Sequence, residues 1–202
     1  MSKSPSIAIS PSVADYFGSV VDDALRSRHV QASPAASQYV VGVLCDFARP
    51  SEEAESPFSK PLTFQLRDAM EAPFAERFRR LRALGDGVLY AVGFFGGHIE
   101  LKGIDRRYVM QVGSSAYQNA AAMLLMPGRD SKFGVLEELA VKFGEFVDVL
   151  TEVAEGTIAM GARDERGVVK LYERWLRTGS SRIAEELGAR GIIPTRAVEG
   201  LN

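Results

Sequence analysis

The chain has 202 residues, a formal net charge of −2, 46% hydrophobic residues and one cysteine. That length suits one domain with a real core, and the near-neutral charge gives no global attraction to nucleic acid or an anionic membrane surface. Cys45 alone can form neither an intrachain disulfide nor a cysteine-based metal site, which fits a reducing cytoplasm.

The N-terminal MSKSPSIAISPS lacks the apolar run of a leader, and no stretch offers 18 uncharged apolar residues for a membrane span. Residues 1–10 read as a flexible tail, 11–194 as the helical domain and 195–202 as a second tail. A helix is expected over 11–28, with Ser12 and Asp15 spaced as a capping box. Ser33 and Pro34 start the next, striped by Ala36, Tyr39, Val40, Val43, Leu44 and Phe47. The acidic segment 51–59 reads as a surface loop. A third helix begins near Leu62 and is interrupted at Pro73. Phe74, Phe78, Leu81 and Leu84 continue the stripe, with Arg77, Arg79, Arg80 and Arg82 on the remaining surface.

Gly85, Asp86 and Gly87 suggest a sharp turn, with Asp86 capping the next helix. VLYAVGFF, 88–95, is strand-like in composition but does not alternate, so a buried helix is expected, with Phe94 and Phe95 near the centre of the core. Asp105 caps a helix whose small residues at Gly113 to Ala116 allow the 88–95 helix to come close. The longest helix is expected over 131–158, its acids forming a solvated face. Val168–Leu176 carries Tyr172 and Trp175, and a short helix around Ile183 and Leu187 closes the chain. The fold class is therefore all-α, a single-domain bundle of seven or eight helices.

The runs RFRRLRALGDGVLYAVGFFGGHIELKGIDRRYVMQVGSSAY and LYERWLRTGSSRIAEELGARGIIP resemble a recurring pattern in an uncharacterised bacterial family of small helical cytoplasmic proteins. The resemblance covers about three quarters of the chain. It implies a bacterial cytoplasmic origin, and it carries no catalytic role onto any residue.

Motifs with a known mechanism are missing. GFFGG at 93–97 is neither a dinucleotide fingerprint nor a phosphate loop. Gly113-Ser114-Ser115 lies in a predicted helix, not at a nucleophile elbow. His29 and His98 have no ligand partner at helical spacing, and Glu137, Glu138, Glu145 and Glu152 have no Glu-x-x-His companion. No cofactor or metal is expected. The arginine turn lacks the aromatic interleaving of a nucleic-acid surface, so nucleic acid is an unfavoured partner.

Two candidate regions remain. A ligand-binding set is Asp86, Tyr90, His98, Arg106, Arg107, Tyr108 and Tyr117, where His98 would serve as base if Asp86 or Glu100 held its ring. An interface set is Arg77, Arg79, Arg80, Arg82, Tyr172 and Trp175, the arginines facing acids of 137–155 within or between copies. The favoured reading is a non-enzymatic helical interaction module, regulatory or scaffolding, with a protein partner or as a homodimer. The alternative is a small-molecule-binding protein or enzyme with a pocket near 85–98.

Overall fold

The computed structural model describes residues 12–48, 60–124, 134–161 and 164–195. Among them are nine α-helices and no strand: α1 (Val13–Ser27), α2 (Pro34–Ala48), α3 (Leu62–Glu71), α4 (Phe74–Leu101), α5 (Arg106–Ala122), α6 (Val135–Val141), α7 (Phe143–Gly161), α8 (Glu165–Thr178) and α9 (Ser181–Ala189). The all-α bundle is as expected.

Local chemistry explains most boundaries. Ser12 Oγ accepts from the Asp15 amide at 3.1 Å and the Asp15 carboxylate accepts from the Ser12 amide at 3.0 Å, a reciprocal capping box for α1. Ser33 Oγ accepts from the Ala36 amide ahead of Pro34. Asp105, Asp164 and Ser180 cap α5, α8 and α9 in the same way. Gly179, at φ 65, ends α8 in the left-handed conformation that a residue with Cβ resists. The acidic segment 51–59, both proposed tails apart from Thr195, and the expected helix starts at 11 and 131 lie outside the described residues.

Three expectations are corrected. The Gly85-Asp86-Gly87 turn is absent: α4 runs through it for 28 residues, about 42 Å at 1.5 Å per residue. Gly85 serves packing instead. A Cβ on Gly85 would lie 2.5 Å from the Tyr117 ring, so the ring rests on bare α4 backbone. Gly113 is the counterpart on α5, where a Cβ would come 2.7 Å from Val88 and 2.5 Å from Phe143, confirming the close approach expected there.

The second correction is the expected long helix, which is α6 and α7 broken at Lys142. Its ammonium bonds the Gln31 carbonyl and the Glu138 carboxylate, pinning the break to the α1–α2 connection. The apolar spacing of Leu136, Leu139, Ala140, Phe143, Phe146, Val147 and Leu150 runs across the break undisturbed, so periodicity could not reveal it.

The third concerns the aromatics. Phe95 is 52% exposed and Phe94 only half-buried. Backbone at Phe95 leaves helical geometry (φ −124, ψ 18), kinking α4 there. Val88, Leu89, Ala91, Val92 and Gly93 take the inward positions instead.

The main core joins α1 to α7 through Leu44, Leu81, Leu89, Tyr117, Phe146 and Leu150, all essentially inaccessible. A second, smaller core holds Ala159, Leu171, Trp175, Ile183 and Leu187. It seats α8 and α9 against α7, the one other helix they pack on among the described residues. No described helix is long and apolar enough to cross a membrane.

Candidate functional site

Asp86 is the polar centre of the bundle. It projects from the middle of α4 towards α2 and α5, and its Oδ1 accepts from Tyr39 Oη at 2.7 Å and Tyr117 Oη at 2.8 Å. Arg82, one turn earlier, donates from Nε to Tyr39 Oη at 2.9 Å, lies 3.5 Å from Asp86 Oδ2, and covers the Tyr39 ring at 5.3 Å. Burial pushes the Asp86 carboxyl above its ordinary range, against the two tyrosine hydrogen bonds and Arg82. Burial, reinforced by the Asp86 charge, pushes both tyrosines well up, so each stays a donor at neutral pH. The result is a satisfied network tying three helices, with both tyrosine donors spent on one carboxylate oxygen.

His98 does not join this network. It sits 12 residues further along α4, about 18 Å away along the axis, and is exposed. The expected meeting of His98, Asp86 and Tyr117 is therefore only half present: Asp86 and Tyr117 bond, and the histidine stands apart. Tyr90 belongs to a different group again. It stacks on Phe47 from α2 (4.3 Å between centroids, 6° between planes) and on Phe94 (4.7 Å), with Phe95 edge-on at 5.9 Å. This aromatic ladder lies on the outer side of α4 up to the kink at Phe95, and Leu101, at the end of the helix, is 73% exposed.

Arg106 and Arg107 line an open groove of about 810 Å³ with Glu100, Asp105, Met110 and Asp148. Arg106 has a buried Nε with no hydrogen-bond partner and an Nη 3.8 Å from Asp148, beyond hydrogen-bond range. Tyr108, 37% exposed, is not among the groove residues. Among the described residues no three His, Cys, Asp or Glu side chains gather as a metal-ligand set.

The arginine turn is not a single face awaiting acids. Arg77 bonds the Ala72 carbonyl, Arg79 and Arg80 share Glu76, and Arg82 serves Asp86 and Tyr39. Hydrogen bonds from Arg79 and Arg80 hold the Glu76 carboxyl down at about 2. Nor is the 137–155 stretch simply a solvated acidic face. Glu138, Glu152 and Glu155 are buried, bonded to Ser33 and Lys142, to Arg28, and to Ser180 respectively. Trp175 is buried in the smaller core, 5.7 Å from the ring of Tyr172, whose hydroxyl donates to the Thr195 carbonyl.

Sequence reasoning placed Tyr39 and Phe47 on an apolar stripe and gave them no further part. Tyr39 carried a usable signal, since a half-buried hydroxyl needs a partner. For Leu101 the signal was weaker: it continues the spacing of Tyr90, Phe94 and Gly97 at four, three and four. No protein-family model, no curated protein and no solved structure matches the chain, so the roles of these residues rest on their geometry alone.

Proposed function

We propose that the chain is a non-enzymatic helical interaction module, scaffolding or regulatory in role, which docks a protein partner through the aromatic face of α4. The observation that carries this reading is the ladder of Phe47, Tyr90, Phe94 and Phe95, which ends at the exposed Phe95 ring. Stacked, half-buried aromatics are rigid, so they lose little conformational freedom on binding, and such residues dominate binding energy at protein interfaces. The proposal moves the contact surface away from the arginine turn and Trp175, whose partners lie within the chain. A bacterial cytoplasmic setting belongs to the same proposal, supported by the free Cys45 and the resemblance described above.

Affinity capture from the native cell tests it, with wild type and Phe95→Glu side by side. Wild type should recover a protein that the variant loses, while both melt at the same temperature. Equal recovery by the two would overturn the reading.

A further inference from the structure

We propose that Thr151 on α7 is a positioning residue for the α4 face: its hydroxyl, by bonding the Gly93 carbonyl, holds the kink that turns the Phe95 ring outward. This rests on the docking reading above and adds the residue that sets the geometry of its contact.

Leu81, Val88, Val92 and Ile99 are buried and recur at seven, four and seven along α4. Phe95 falls on the same stripe, three residues after Val92 and four before Ile99. A helix regular through residue 95 would therefore carry its ring towards the core. Instead the ring is 52% exposed and stands edge-on to Tyr90. The backbone at Phe95 (φ −124, ψ 18) departs from helical values by about 60° in each angle. The kink, not hydrophobicity, decides where this ring points.

The kink has its origin two residues earlier. Gly93 is buried, and a Cβ there would lie 2.5 Å from Leu150 Cβ and 3.5 Å from the Leu150 carbonyl carbon. The missing side chain lets α7 press on bare α4 backbone. At that contact Thr151 Oγ1 lies 3.1 Å from the Gly93 carbonyl oxygen and 2.9 Å from the Val147 carbonyl oxygen of its own helix. The hydroxyl has one hydrogen and two acceptors within reach. In a regular helix the Gly93 carbonyl accepts from the Gly97 amide alone, so a donor from α7 competes inside the α4 ladder. Side chains inserted in this way bend helices. The local sequence resists little, because Gly93, Gly96 and Gly97 all lack the side chain that favours helical backbone. Ile99 is back in the core, so the distortion is confined to about one turn.

Backbone carbon shifts of isotope-labelled protein test this without a partner. In wild type the Phe95 Cα shift should fall outside the helical range, with Val92 and Ile99 inside it. Thr151→Val removes the donor at nearly constant volume, and the Phe95 shift should then move towards the helical range. Thr151→Ser keeps the hydroxyl and should hold the wild-type value. Thr151→Ala removes the donor without setting a methyl group against the carbonyl and should act as valine does, so a packing defect in one variant leaves the test intact. A Phe95 shift unchanged in both the valine and alanine variants, or moved equally by serine, would overturn the proposal. In affinity capture, Thr151→Val should lose the protein that wild type and Thr151→Ser recover. Full recovery by Thr151→Val with its Phe95 shift moved would also overturn it. Equal recovery by wild type and Phe95→Glu is a different outcome: it removes the docking face, whatever the carbon shifts show.

Discussion

Tyr117 has no solvent exposure, its ring lies on the bare backbone of Gly85, and its hydroxyl ends on Asp86. Each contact predicts a distinct cost. Tyr117→Phe deletes one buried hydrogen bond and should lower stability by about 1 kcal/mol in a urea melt. Gly85→Ala forces the ring and α4 apart and should cost about 1 to 3 kcal/mol. Gly97→Ala, in open space, should be neutral or gain up to about 1 kcal/mol from helix propensity. Equal effects at the two glycines would refute the packing account of Gly85. Asp86 also makes stability depend on pH. Its folded-state pKa is raised, so its contribution is full below the unfolded value of about 3.9 and is lost as pH rises through the folded value. Asp86→Asn removes that loss. The variant's melting temperature should therefore improve relative to wild type between about pH 4 and pH 7, the window that opens above the unfolded carboxyl value. A relative change in the other direction would mean that the tyrosine and Arg82 bonds outweigh burial.

Among elements, α4 shows what a sequence can and cannot disclose. Caps were legible because one side chain and one amide two or three residues away decide them, as at Ser12 and Asp105. The three-four spacing of apolar residues gave the helices and most of the core. Glycines misled, because sequence alone does not distinguish a glycine that frees the backbone from one that admits a neighbour's ring. Gly85 and Gly87 suggested the first, and Gly85 proved to be the second. Phe94 and Phe95 were placed inside on hydrophobicity, but Val88 and Val92 hold the inward positions and the kink at Phe95 swings its ring outward. Asp86 and Tyr117 could be paired as candidates, whereas the Tyr39 hydroxyl reaches Asp86 only through the tertiary crossing of α2 over α4. Phe95→Ala should consequently cost under about 1 kcal/mol, against about 3 to 5 for Phe146→Ala in the main core. A chemical melt of the two variants checks the contrast, and a large loss at Phe95 would place that ring in a core after all.

For the whole molecule, the two cores imply two cooperative units. The α8–α9 pair packs on α7 alone among the described residues and buries few large side chains, so it should open before the main core. Trp175, the chain's one tryptophan, reports on that unit selectively. Its fluorescence should change at lower urea than far-ultraviolet circular dichroism, and coincident transitions would show a single unit. The position of α7 has a further consequence, for synthesis. Neighbours in the chain pair readily, α1 with α2, α3 with α4, α4 with α5 and α5 with α6. Yet α1 and α4 both need α7, which follows them by dozens of residues. A nascent chain emerging N-terminus first would hold these early pairs with an apolar side still uncovered until Phe146 and Leu150 leave the ribosome. Stalling translation before residue 143 should leave a chaperone-bound, protease-sensitive intermediate, and release after residue 161 should free it.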